Sequence, residues 1–173
     1  MSLTVETGAG VEGAESYATV AFIDAYWQAR THDPRSVTWA AGTVPKKEGA
    51  AREASAFMDA TWGSQYRGVR RGYVQGLEFP RTEALDDAGY PLPDHPAQLM
   101  TAVAELAPKA LAGPLAPDLK AGGGVIERVK AGPVEVQFAN NGKVEKSYPA
   151  VARLLTPLLR PDSAYYFGVA GGA

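Results

Sequence analysis

The sequence predicts a mainly α-helical domain, a small bundle of about four helices with an attached β-hairpin or short antiparallel meander. Several segments of the 173-residue chain repeat apolar residues every three or four positions, which is the spacing of one helical face. After residue 124 the spacing changes to two, which is typical of strands. The 19 glycines and 13 prolines favour short elements joined by turns.

The first three predicted helices occupy residues 20–30, 46–62 and 97–112. Thr19 is the expected N-cap of the first, and residues 31–45 are expected to form a loop because the Asp-Pro pair in that segment disfavours a helix. Pro108 lies inside the third helix, where proline removes a backbone hydrogen bond and clashes with the preceding turn. We therefore expect a kink or a break there.

The remaining segments predict an ordered loop, a hairpin and a last helix. Residues 63–96 are interrupted by glycine and proline. They are expected to form an ordered loop held against the core by the anchors Tyr66, Tyr73, Leu77, Phe79 and Leu85. Residues 125–130 and 134–138 predict the hairpin, residues 143–148 a third strand, and Pro149 the start of the final helix. These elements predict one domain over residues 1–160, followed by a C-terminal arm over residues 161–173.

Composition argues against catalysis and against a membrane protein. The chain has no cysteine and two histidines, and neither HExxH nor GxSxG occurs, so we expect no metal site, no cofactor and no enzyme activity. It contains no long apolar run and no signal-peptide pattern. The 17 basic residues against 19 acidic ones give a formal charge of −2, which provides no strong field of either sign.

A glycine motif at residues 8–13, GAGVEG, has the GxGxxG spacing of dinucleotide-binding loops. Such a loop also needs a buried strand before it and a helix that starts at the third glycine. The first predicted helix starts at Val20, several residues too late. We therefore interpret the motif as a turn that binds no cofactor.

Four arginines follow one another closely, at Arg67, Arg70, Arg71 and Arg81, and Tyr73 lies among them. The guanidinium fork suits phosphates and tyrosine can stack on bases, which favours contact with nucleic acid. Arginine and tyrosine are also enriched in protein interfaces, and the net charge of −2 argues against an extended basic surface. Contact with a protein subunit, contact with DNA and ordinary solvated surface all remain open at this point.

The predicted arm contains Tyr165, Tyr166 and Phe167 between glycines. It is too apolar for a solvated tail and too rich in glycine for a helix. We expect it to fill a groove or to add a strand on a partner protein.

The order of several motifs resembles a family of tailed-bacteriophage proteins that are often labelled DnaT-like single-stranded-DNA-binding proteins. The resemblance spans about residues 8–160, and its most specific element is QGLEFPR at residues 75–81, after the Tyr-Arg-Gly turn at residues 66–68. Further matching motifs are GVEGAESY at residues 10–17, PLP at 91–93, GPVEV at 132–136 and YPAV at 148–151. The pattern is also similar to that of phage head-tail connector, or adaptor, proteins.

The connector resemblance implies a virion structural protein that completes the head and joins it to the tail. Its implied partners are the portal protein, a tail-side connector or tail terminator protein, and copies of itself in a ring, commonly of twelve, with passing contact to genomic DNA and none to a membrane. Its location would be the virion neck, after assembly in the host cytoplasm. The arginine segment and the arm are the expected contact elements. The alternative function is a single-stranded-DNA-binding accessory of replication.

Overall fold

The computed structural model describes residues 2–116, 128–131, 134–137 and 148–161. The chain divides into two compact units, one formed by Met1–Leu115 with Tyr148–Ala173 and the other by Ala116–Ser147. The first unit is helical, and the described part of the second is a hairpin. The boundary predicted after residue 160 stays a prediction.

The described residues form five α-helices, which confirms the mainly α-helical fold. Helix α4 is central, because α1, α2, α3 and α5 all pack against it, and its residues Leu99, Val103 and Leu106 are fully buried. The helices are α1 (Val20–Gln28), α2 (Pro34–Ala40), α3 (Val44–Trp62), α4 (Ala97–Ala112) and α5 (Pro149–Leu155), with short 3-10 turns at Gly63–Gln65 and Thr156–Leu158.

Helix α2 lies where the sequence predicted a loop, so that prediction was wrong. The side chain of Asp33 caps α2 by accepting a hydrogen bond from the Arg35 amide at 2.9 Å, and Pro34 occupies the first turn, where its missing N–H needs no partner. The same Asp-Pro pair that ends many helices therefore starts this one. The new helix adds the fully buried Trp39 to the core.

Helix α4 passes through Pro108 as one element of 16 residues, so the predicted break is not found. Leu106, Ala107 and Pro108 are all buried, and this packing keeps the last turn of α4 in place where proline removes a hydrogen bond. The stabilisation from this burial outweighs the free-energy cost of proline within the helix.

The segment between α3 and α4 is an ordered connection, as predicted. Three of its expected anchors are buried, but Tyr73 and Leu85 are exposed, so the prediction that these two hold it against the core was wrong. Strands β1 (Val69–Arg70) and β2 (Arg81–Thr82) pair antiparallel within it. Gly68 begins this ribbon with φ +70, and a Cβ there would lie 2.2 Å from the Thr82 carbonyl oxygen. Only glycine permits so close an approach.

In the second unit, β3 (Arg128–Ala131) pairs antiparallel with β4 (Val134–Gln137), and Val129 lies opposite Val136. The predicted hairpin is thus confirmed. The predicted third strand falls largely outside the described residues, and so does the arm with Tyr165, Tyr166 and Phe167.

Candidate functional site

Residues 69–75, which we call the tip loop, carry the most exposed aromatic side chain among the described residues. Tyr73 is 100% exposed, and Val69 and Val74 are more than half exposed. Arg70 and Arg71 lie in the same loop and are also exposed. Exposed apolar and aromatic side chains grouped in this way are typical of binding surfaces, so the tip loop is the candidate site.

The side chain of Gln75 holds the tip loop closed. Gln75 is buried, and its Oε1 accepts a hydrogen bond from the Gly72 amide at 2.8 Å. Its Nε2 donates to the carbonyl oxygens of Leu77 at 2.8 Å and Pro80 at 3.1 Å. The turn that carries Tyr73 is therefore fixed to the following backbone, and the ring is presented from an ordered base.

The N-terminal segment supports one side of the tip loop. Glu12 forms an antiparallel bridge with Gln75, and the Gly76 amide donates to the Val11 carbonyl at 3.1 Å. Arg71 extends this contact by donating to the Gly8 carbonyl at 3.1 Å. The tip loop is thus fixed to residues 8–12 as well as to its own base.

The four predicted arginines divide into two pairs, and Arg67 belongs to the inner pair. Its Nε donates to the Leu159 carbonyl at 2.7 Å, its Nη1 donates to the Leu85 carbonyl at 2.9 Å, and it forms an ion pair with Asp87. Only 12% of its side chain is exposed. Arg67 therefore ties the chain after α5 to the segment that follows β2.

Arg81 is the second inner arginine. It donates to the carbonyl oxygens of Arg67 at 2.8 Å and Gly68 at 3.0 Å, and its ion pair with Glu78 measures 2.6 Å. Its side chain is 7% exposed, and its guanidinium faces the Tyr66 ring. Arg67 and Arg81 thus serve as internal connectors. The outer pair, Arg70 and Arg71, is more exposed, although Arg70 donates to the Gln75 carbonyl and Arg71 to the Gly8 carbonyl.

Acidic side chains of residues 83–94 pair with arginines of the same chain. Asp87 pairs with Arg67, and Asp94 pairs with Arg71. This acidic segment also carries a second exposed tyrosine, Tyr90, which is 70% exposed. Two acids of this segment thus pair with arginines of their own chain.

The GxGxxG segment wraps around a carboxylate of the chain itself. Glu6 is fully buried, and its Oε1 accepts hydrogen bonds from the amides of Thr7 at 3.0 Å, Gly8 at 2.8 Å and Gly10 at 2.9 Å. Its Oε2 accepts from the Val11 amide at 2.8 Å. The loop does form an anion-binding nest, but Glu6 already fills it, so these amides are not available to a pyrophosphate.

A buried carboxylate connects the residues after the tip loop to the helical core. Asp59 on α3 accepts hydrogen bonds from the Tyr17 hydroxyl at 2.7 Å and from the Glu78 amide at 3.0 Å. Burial raises the pKa of Asp59 to about 6, and these hydrogen bonds oppose that rise. The residues after the tip loop are therefore linked to α3 through the Asp59 carboxyl, whose pKa is about 6.

A groove of about 510 Å³ lies elsewhere, lined by parts of α1, α2 and the start of α3. Within it, Asp24 accepts hydrogen bonds from Trp39 Nε1 and Lys47 Nζ, both at 2.7 Å. These bonds join the three helices, which is a structural role.

Within residues 2–116 and 148–161, no three His, Asp or Glu side chains lie close enough together to hold a metal ion. In the part of the chain that the structure describes, no helix is both long and apolar enough to cross a membrane.

Fold and site together define a small helical protein that exposes an aromatic loop flanked by arginines. The family described as "Putative DnaT-like ssDNA binding protein" matches residues 1–170, and the chain belongs to it. No curated protein and no solved structure matches the chain. The match supports the DnaT-like part of the resemblance and carries nothing about head-tail connectors.

Proposed function

We propose that the protein binds single-stranded DNA through the tip loop. The observation that carries the proposal is the fully exposed ring of Tyr73, with the exposed residues Arg70 and Arg71 in the same short loop. Bases stack on exposed aromatic rings, and arginine neutralises the neighbouring phosphates. Membership of a family whose description names single-stranded DNA supports the same function.

The size of this surface sets the expected strength of binding. Stacking contributes about 1–3 kcal/mol per base, and two exposed arginines can neutralise about two phosphates. Because the net charge is −2, no extended basic stripe adds to this. Binding by one copy should therefore be weak, dependent on salt and largely independent of base sequence.

Single strands should be preferred over duplex. Tyr73 can stack only on a base whose face is accessible, and in a duplex that face is covered by the neighbouring base pairs. An oligothymidine should therefore bind more tightly than a hairpin duplex of equal charge.

The test compares two exposed tyrosines. A fluorescent oligothymidine is titrated with the full chain, with Tyr73→Leu and with Tyr90→Leu at about 50 mM salt. We expect Tyr73→Leu to weaken binding by at least about fivefold, which corresponds to the loss of one stacked base, while Tyr90→Leu binds like the parent. Absence of binding by the parent at low salt, or equal losses in both variants, would refute the proposal.

The arginines have their own measurement. Each phosphate contact on a single strand contributes about 0.7 to the slope of log affinity against log salt. Arg70→Gln and Arg71→Gln should each reduce that slope by about this amount. Unchanged slopes in both variants would show that these arginines do not contact phosphate.

A second candidate function is the head-tail connector. The observation that favours it is the exposure of Val69 and Val74, because aliphatic side chains contribute nothing to phosphate binding and are typical of protein interfaces. In this function the tip loop contacts a neighbouring copy, the portal protein or a tail-side component in the virion neck. A closed ring needs two different faces that complement each other.

The second candidate is tested by mass measurements of the purified chain with and without portal protein. The double variant Val69→Ser and Val74→Ser should then prevent association with the portal protein. If the parent chain stays monomeric and does not join portal rings, the connector function is excluded.

A further inference from the structure

One of the two exposed arginines of the tip loop, Arg71, is already paired with an acidic side chain. Arg71 forms an ion pair with Asp94, the last residue of the acidic segment, which precedes α4. The pair lies at the surface, with 35% of the Arg71 side chain and 53% of the Asp94 side chain exposed. A carboxylate and a phosphate both accept hydrogen bonds from the N–H edge of a guanidinium group, so they compete for Arg71.

The second contact of Arg71 is of a different kind. Its Nη1 donates to the Gly8 carbonyl at 3.1 Å, while its Nη2 faces Asp94. The backbone contact can persist when the carboxylate leaves. The guanidinium would then remain in place, with its Nη2 edge open to another anion.

We propose that Asp94 is a built-in competitor of the nucleic-acid phosphate, and that its carboxylate must leave Arg71 before the tip loop binds DNA fully. This inference rests on the proposed function. It assigns to Asp94 the role of an autoinhibitory group that weakens binding and makes it less dependent on salt. The salt effect follows because the displaced carboxylate takes up a counterion, which offsets part of the counterion release from DNA.

The other arginine-aspartate pair near the tip loop provides a matched control. Arg67 is only 12% exposed and keeps two backbone carbonyl partners, so it cannot turn towards a ligand when Asp87 is removed. Asp87→Asn changes the net charge by the same amount as Asp94→Asn, and Asp87 is itself exposed. Any difference between the two variants therefore reports on Arg71.

The experiment measures oligothymidine affinity against salt for the full chain, Asp94→Asn, Asp87→Asn and Asp94→Asn combined with Arg71→Gln. Asp94→Asn should raise the affinity about three- to tenfold at low salt and steepen the salt slope by a fraction of one phosphate contact. Asp87→Asn should change the affinity by less than about twofold. The gain should vanish when Arg71→Gln is present.

The outcomes separate this inference from the proposed function. If neither the parent nor Asp94→Asn binds, the DNA-binding function fails and the inference fails with it. If the parent binds and the two asparagine variants behave alike, the function stands and the competitor role is overturned. A gain that persists with Arg71→Gln would also overturn it, because the effect would then arise from net charge alone.

Discussion

The hydroxyl of Tyr17 lies 2.7 Å from Oδ1 and 2.9 Å from Oδ2 of Asp59, and it also accepts a hydrogen bond from the Phe79 amide at 3.3 Å. One buried hydroxyl thus joins the N-terminal segment, α3 and the residues that follow the tip loop. A second tyrosine, Tyr66, is equally buried, yet its hydroxyl has no hydrogen-bond partner among the described residues. The hydroxyl of Tyr17 is therefore fully hydrogen-bonded, whereas that of Tyr66 is buried without a hydrogen bond.

The two tyrosines should respond in opposite ways to the loss of the hydroxyl. Tyr17→Phe removes one of the two donors to the Asp59 carboxylate and the acceptor of the Phe79 amide, and should lower the free energy of unfolding by about 2–3 kcal/mol. Tyr66→Phe removes a group that lost its hydration without gaining a partner, so stability should be unchanged or rise by up to about 1 kcal/mol. Urea denaturation at pH 7 measures both. Equal losses of stability in the two variants would show that the Tyr66 hydroxyl makes a hydrogen bond of similar strength.

The raised pKa of Asp59 predicts a dependence of stability on pH. In the folded chain its pKa is about 6, mainly because burial disfavours the charged form, against 3.8 for an ordinary aspartate. The folded state therefore holds the proton more tightly than the unfolded state. The resulting stabilisation is complete below about pH 4 and is lost as the pH rises through about 6, and it amounts to up to about 3 kcal/mol.

Asp59→Asn should remove this dependence. Compared with the parent, the variant should gain stability as the pH rises from about 4 to 7, because it has no carboxylate to ionise. Unfolding by urea at several pH values measures the difference, and Glu12→Gln, which alters an exposed carboxylate, serves as the control. If the difference between Asp59→Asn and the parent does not vary with pH, Asp59 keeps an ordinary pKa.

The spacing of apolar residues in the sequence was sufficient to predict four of the helices and the hairpin. Burial of one face of such an element depends on residues that are close together in the chain. The same reasoning missed α2. Asp33 and Pro34 end a helix when they follow it and start one when they precede it, and only the surrounding core, which buries Trp39, decides between these outcomes.

The candidate site was predicted only in part, for a different physical reason. The sequence shows that Arg67, Arg70, Arg71 and Arg81 are close together, but it does not show which backbone carbonyls face them. All four donate to such carbonyls, but only Arg67 and Arg81 are largely buried while they do so. Gln75 was missed as the side chain that closes the tip loop, since its partners are also backbone groups that only the folded chain brings together.

This division of the arginines predicts different effects on stability. Arg81→Met leaves the carbonyl oxygens of Arg67 and Gly68 without their donor in a buried place and should cost about 2–4 kcal/mol. Arg70→Met removes one hydrogen bond, to the Gln75 carbonyl, at an exposed position in the tip loop, and should cost less, about 0.5–1 kcal/mol. Thermal and urea unfolding test the pair. A similar loss in both variants would mean that Arg70 is also an internal connector.

The buried Glu6 carboxylate predicts the largest effect of an isosteric change in the N-terminal segment. Four backbone amides donate to its two oxygens, and Glu6→Gln replaces one of those oxygens with an NH₂ group that faces a donor. We expect a loss of about 2–4 kcal/mol, which for a chain of this size lowers the melting temperature by about 5–10 °C. The same change at exposed Glu12, in the same glycine-rich loop, should alter the melting temperature by about 1–2 °C at most.

A rescue experiment separates the nest from a general charge effect. Glu6→Ala empties the nest, so added acetate or formate should raise the melting temperature of this variant more than that of the parent, because the four amides still converge on one point. Chloride at equal ionic strength is the control, since it screens charge without offering a carboxylate. If acetate and chloride act alike on Glu6→Ala, the amides do not retain their arrangement without Glu6, and the carboxylate itself organises the glycine-rich loop.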